Sequence, residues 1–290
     1  MKKSTGLFEY LMISPTALVL TVLSLFPLIF IIYYSFTDYY YLSLSDPKNI
    51  GIDNYIKLFS DRYFLQALYN TFIFTVVAVI TEVFLGLMIA VLIDSIVKRQ
   101  KFFRTVSLLP TLLPPVTVAL VWQIMLANND GLFNSILNIL GFAGYNFLGE
   151  IDTAFWCILL IDIWQYSPFA FLLMYASLQG VPKGQYEAAA VDGANAFQRF
   201  IYITLPNISN GIALVAILRM IDSFRLFDKV NVLTKGGPAN STATISQYIY
   251  QNGVSSLRVG YASTASVVMT VMVLAMASIY IYRSFKTKKL

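Results

Sequence analysis

Six stretches of the chain are almost wholly apolar, at about 11–35, 70–93, 107–127, 155–178, 208–228 and 262–282. A helix needs roughly 20 such residues to cross the hydrocarbon layer of a bilayer. The pattern therefore predicts six transmembrane helices and an all-α polytopic membrane protein. The first run is too long for a signal peptide and lacks a small-residue cleavage site, so it reads as a span. Pro110, Pro114 and Pro115 predict a kinked third span, because proline removes a helical hydrogen bond. The polar intervals are Phe36–Phe64, the basic turn Lys98–Arg104, Asn128–Asp152, 179–206 and Val230–Gly260.

Charge sets the orientation. Twelve of the twenty basic residues fall in segments on one side: Lys2, Lys3, Lys98, Arg99, Lys101, Arg104, Lys183, Arg199, Arg283, Lys286, Lys288 and Lys289. The positive-inside rule then places both termini in the cytoplasm, with multiple passes between them. Lys48, Lys57, Arg62, Lys229, Lys235 and Arg258 fall in the longer loops opposite, and Tyr39–Tyr41 suits the membrane interface.

Composition agrees. Hydrophobic residues make up 58% of 290 and charged residues 12%, against about a quarter charged in soluble domains. The net charge of +5 reads as membrane orientation rather than nucleic-acid binding. There is no histidine, which removes histidine-based metal sites and general-base chemistry, and the lone Cys157 cannot form an internal disulfide. No GxxxxGK[ST] loop occurs, so the chain has no such site for ATP. Catalytic and metal-ligating residues are expected to be none. Without internal repeats or linkers, residues 1–290 read as one domain.

The stretch Tyr186–Pro206, YEAAAVDGANAFQRFIYITLP, differs from all others. It predicts two short helices joined at Gly193, the first starting near Glu187 and the second, Ala194–Thr204, ending at Pro206. Glu187-Ala188-Ala189, Asp192-Gly193-Ala194, Phe200, Ile203 and Leu205-Pro206 resemble the EAA loop of ABC importer permeases. The likeness is to their binding-protein-dependent sugar and oligosaccharide branch, and GIDNYIKLF (51–59) and Gly236-Gly237-Pro238 resemble it too. It implies the type I (MetI-like) permease fold in the bacterial cytoplasmic membrane. It further implies that Glu187, Ala188, Ala189, Asp192, Gly193, Ala194, Leu205 and Pro206 dock into a cytoplasmic ATPase. The implied partners are two ABC ATPase subunits, which bind ATP and Mg, a second homologous permease, an extracytoplasmic substrate-binding protein and membrane lipid. No cofactor would sit on this chain.

Two groups of polar residues lie within the spans. Arg219, Asp222, Arg225 and Asp228 are spaced by three, so on one helix they lie near one face and can neutralise one another. Arg219 falls near mid-membrane, where a charge needs a partner or a wet cavity. The set is either part of a substrate pathway or a salt ladder that closes the bundle with Glu82. Trp164, Gln165 and Tyr166 offer a ring face and polar groups suited to a sugar, or else mark ordinary membrane packing. A transporter driven by an ion gradient, with Glu82 or Asp222 as the coupling carboxylate, is the alternative; it would not need the loop at 179–206.

Overall fold

The computed structural model describes residues 5–95 and 99–287. Lys2, Lys3, Lys98, Lys288 and Lys289, used above for orientation, lie outside the described residues, as do the side chains of Arg283 and Lys286. The chain packs as two units. One comprises the chain up to Phe64 with Ile249–Met272; the other comprises Leu65–Tyr248 with the chain from Val273.

In the first unit, α1 (Thr5–Ser35) is an apolar helix almost entirely uncovered from Tyr10 onward, followed by α2 (Asp53–Ser60). A helix end leaves carbonyls without partners, and here side chains from elsewhere supply them. Asn54 Nδ2 donates to Ser35 O at 3.2 Å and to Thr37 O at 2.8 Å. Thr264 Oγ1, from the late helix Val259–Thr287, donates to Ser35 O at 2.9 Å.

The second unit begins within α3 (Arg62–Ser95), at Leu65. The third predicted span is a broken pair, α4 (Gln100–Leu112) and α5 (Pro115–Met125), bent by 89°. The expected kink is thus nearly a right angle. Pro114 and Pro115 offer no N–H, and Leu113 and Pro114 are extended, with ψ 137° and 139°. Next come α6 (Leu132–Ile139) and α7 (Ile151–Gln179), whose middle is buried. Among the described residues, five helices are long and apolar enough to span a membrane, and six if the bent pair is one span.

After α7, α8 (Lys183–Val191) and α9 (Ala196–Arg199) lead into a π-helical turn, Phe200–Thr204. That turn runs without a stop into α10 (Leu205–Phe224). Pro206 therefore does not end the helix, contrary to the expectation. It occupies the first turn of α10, where a missing N–H costs little. The unit closes with α11 (Asp228–Leu233) and α12 (Ile245–Tyr250); α13 is Val259–Thr287.

Small residues bring the helices of this unit together. A Cβ placed on Gly86 of α3 would lie 2.6 Å from Ala170 Cβ and 2.7 Å from the Phe171 backbone nitrogen of α7. Gly211 of α10 likewise leaves no room above Ser177 of α7. Between these helices lie Ala90, Phe171, Met174, Ile208 and Val215. Gly86→Val is expected to force α3 and α7 apart at a cost of ~1–3 kcal/mol, seen as a lower thermal midpoint in detergent. Cys157, the only cysteine, reports unfolding to a thiol-reactive dye. An unchanged midpoint would contradict this packing.

Candidate functional site

Arg219, on the buried side of α10, is 1% exposed. Its Nε donates to Glu82 Oε2 at 2.6 Å and its Nη2 to Glu82 Oε1 at 3.1 Å, a fork-on-fork pair between α10 and α3. Nη2 also reaches Asp162 Oδ2 of α7 and Ser223 Oγ, each at 3.2 Å. The other oxygen of Asp162 accepts a short hydrogen bond from Lys229 Nζ on α11. All four ionic groups are at most 1% exposed. Two cations face two anions, so the quartet is balanced. Tyr166 supplies a ring near both cations, 3.9 Å from Arg219 Cζ and 4.3 Å from Lys229 Nζ.

The remaining nitrogen, Nη1, points toward Asp222 at 3.6 Å, within ion-pair reach but without a hydrogen bond. Asp222 is 60% exposed. Beside this edge of the cluster lies a cavity of about 330 Å³, lined among others by Tyr166, Arg219, Asp222, Arg225, Asp228 and Lys229. The arrangement can hold a polar solute against buried and rim charges.

The expected four-residue ladder on one helical face is not formed. The α10 helix ends at Phe224, Arg225 is its cap and Asp228 begins α11. Only Arg219 and Asp222 keep the three-residue relation. Lys229, expected in an outer loop, is instead buried against Asp162. The partners of Arg219 are carboxylates 137 and 57 positions away. Glu82 was expected to close the bundle with this set, and it does pair with Arg219. Asp162 carried only the signal of an ionisable residue in the unusually polar interior of its span.

Trp164, Gln165 and Tyr166 do not converge, since successive helical residues diverge by about 100°. Trp164 is 43% exposed and meets Trp122 edge-on. Gln165 is buried, and its Nε2 donates to Leu113 O at 2.9 Å, the carbonyl left free at the break between α4 and α5. Tyr166 alone of the three lines the cavity.

The loop at 179–206 forms an elbow. Gly193 sits at φ +78°, and a Cβ there would meet nothing within 4 Å. Its requirement is the left-handed backbone, not space. Glu187 is the fifth residue of α8, not its first turn. It therefore lies beyond the helix-end positions where a carboxylate gains from the dipole. The second arm begins with a capping box, Asn195 Oδ1 accepting from Gln198 N and Gln198 Oε1 from Asn195 N. Glu187, Ala188, Asp192, Gly193 and Pro206 are exposed; Ala189, Ala194 and Leu205 are partly so. Tyr186 and Thr204 share a hydroxyl hydrogen bond of 2.9 Å, and Asn207 Nδ2 donates to Gln185 Oε1 at 2.8 Å, tying the arms at their base.

Removing one member of a buried ionic group strands the others. Arg219→Met is expected to destabilise the protein by ~3–5 kcal/mol, since Glu82 and Asp162 stay buried without it. Asp222→Asn, at an exposed pair, should cost at most ~1 kcal/mol. Thermal unfolding of both variants checks the contrast, and equal small effects would contradict the geometry.

The family described as binding-protein-dependent transport system inner membrane component matches residues 82–288. The chain is 35% identical over 282 residues to the sulfoquinovosyl glycerol transport system permease protein SmoG of Agrobacterium fabrum, covering 97% of this chain and 91% of that one. It is 38% identical over 232 residues to the trehalose/maltose transport system permease protein MalF of Thermococcus litoralis, covering 80% and 78%. Among solved structures, a bacterial alginate ABC transporter in complex with an alginate pentasaccharide-bound periplasmic protein superposes with a TM-score of 0.86. That likeness, at 24% identity over 97% of this chain and 95% of the other, is one of fold. The chain belongs to the binding-protein-dependent transport system inner membrane component family and is a membrane-spanning permease subunit of an ABC importer, in which ATP is hydrolysed on separate subunits.

Proposed function

We propose that this permease carries a sugar, oligosaccharide or related polyol across the bacterial cytoplasmic membrane. It is driven by two cytoplasmic ATPase subunits seated on residues 179–206, which hold ATP and Mg. It works as one domain, with both termini in the cytoplasm, and it pairs with a second homologous permease because six spans make half a pathway. A substrate-binding protein delivers the solute from outside. The named substrates of SmoG and MalF support a carbohydrate.

The observation that carries the coupling is the exposed elbow. Val191 is 88%, Phe197 73% and Tyr202 77% exposed, an apolar set on the elbow and on the start of the helix that leads from it into α10. Such groups gain from burial against a partner. Their motion has a mechanical route inward. The helix continues from Phe200 through the π-helical turn to Arg219, roughly 28 Å at 1.5 Å per residue. In this reading Glu187, Ala188, Ala189, Asp192, Gly193, Ala194, Leu205 and Pro206 form the coupling surface. Tyr166, Arg219 and Asp222 face the solute, while Gln165 and Trp164 act on the framework around it.

Gly193→Val tests the coupling. A β-branched residue resists positive φ by ~1–2 kcal/mol, about a tenfold shift in the elbow's population. Membrane insertion should be unchanged, while ATPase co-purification and ATP-driven uptake in proteoliposomes fall about tenfold. Gly193→Asn, which tolerates this backbone, should retain most of both. Full uptake and ATPase retention in the valine variant would overturn the reading, as would uptake that persists on an ion gradient after ATP is depleted.

A further inference from the structure

Relatives of this chain are named for both charged and uncharged cargo, sulfoquinovosyl glycerol in one case and trehalose or maltose in another. The cavity beside Arg219 distinguishes between them. We infer that it selects uncharged, polyhydroxylated solutes and discriminates against acidic ones, with Asp222 and Asp228 as the residues that set this preference. The inference rests on the reading of the cavity as part of the solute pathway and adds the class of solute.

An arginine and a lysine at a cavity suggest an anion at first sight. The charge balance removes that suggestion. Arg219 and Lys229 are consumed by Glu82 and Asp162, which hold them through hydrogen bonds at 2.6–3.2 Å and one shorter contact. The buried quartet is neutral. What remains at the rim is Asp222, Arg225 and Asp228, one cation against two anions. An acidic solute therefore meets a net negative rim, in a site screened less than open water.

The same groups suit a polyol. Arg219 Nη1 is buried, lacks a hydrogen-bond partner and belongs to a residue that lines the cavity. A solute hydroxyl can donate to the exposed carboxylate of Asp222, which lies 3.6 Å from that nitrogen, too far for a direct bond to occupy it. A hydroxyl both donates and accepts, so it suits a rim of two carboxylates and the Arg225 guanidinium. A carboxylate, sulfonate or phosphate only accepts, and would set a second anion against Asp222. The cavity volume, about 330 Å³, is at the lower end of small-molecule sites, room for part of an oligosaccharide rather than a long one.

The test uses the permease in complex with its ATPases and partner permease, in nanodiscs without the binding protein, so that its selectivity does not enter. Two probes of equal length are titrated by calorimetry, neutral maltotriose and acidic trigalacturonate. The wild-type complex is expected to bind maltotriose at least ~10-fold more tightly. Asp222→Asn combined with Asp228→Asn should shrink that ratio ~10-fold by relieving repulsion of the acid, with the thermal midpoint confirming an intact fold. Equal or tighter binding of trigalacturonate by the wild type, an unchanged ratio in the double variant, or binding of neither probe would overturn the inference. Failure of the proposed function shows separately, as ATP-independent uptake or intact coupling in Gly193→Val.

Discussion

A guanidinium in the middle of an apolar helix bundle is the constraint on which this permease is built. Removing such a charge from water costs several kcal/mol, and only close, geometrically exact-fitting counter-charges offset it. Arg219 meets that condition with a two-point pair to Glu82 and a further bond to Asp162. Arginine suits the task better than lysine, because its planar fork addresses two carboxylates at once. The consequence is architectural. Three helices distant in sequence, α3, α7 and α10, have their rotations fixed about a single point. Lys229 adds α11 by taking the free oxygen of Asp162. The glycine contacts at Gly86 and Gly211 are what let the backbones come close enough for these side chains to meet.

Against that fixed centre, the irregular parts of the unit stand out as the places where geometry can change. The span formed by α4 and α5 is broken at Leu113–Pro114, and a side chain from α7 replaces the lost backbone bond. The π-helical turn before α10 closes its hydrogen bond over five residues, from Leu205 N–H to Phe200 O, instead of four. The elbow turns at a glycine with positive φ. The break and the elbow have local causes in proline and glycine chemistry, and the break borders the cavity beside the ionic quartet through Pro115. A machine that must be both coupled and rigid needs such a division, with stiff helices around the solute and joints at their ends.

How much of this was legible in the sequence follows from which forces act locally. Bilayer thickness fixes the length of an apolar run, so the spans could be read directly. The elbow was legible because one glycine and a run of alanines punctuate an otherwise apolar chain. The ionic quartet was legible only in part: Glu82 could be read as a partner of Arg219, and the structure pairs them, but the other two members could not. The three-residue spacing from Arg219 to Asp228 suggested one continuous face, but that inference assumes a helix that in fact ends at Phe224. Nothing within the segment announces that end, since Arg225 and Leu226 are ordinary helix formers. Lys229 was read as a loop cation because a lysine beyond a span is normally solvated. Its burial depends on Asp162, 67 positions away, and no local pattern encodes that pairing. Glu187 was placed at a helix start because the alanine run begins there, whereas α8 starts at Lys183, just after Pro182.

The balance of charge also bears on how such a protein can move at all. If Arg219 were neutralised by a single exchangeable partner, each conformational change would risk stranding a charge in a poor dielectric, and the barrier would be set by electrostatics. Sharing two cations among two buried carboxylates on different helices makes the group close on itself. Its members then travel together, and no ion need be exposed or abandoned when the bundle shifts as a body. The exposed Asp222 stands outside this closed set, joined to it only by a 3.6 Å contact. It is the one ionic partner of Arg219 that can let go at small cost, and it borders the cavity. The physical division within the cluster, between charges that must stay paired and one that need not, thus coincides with the division between its buried centre and the exposed rim of the cavity.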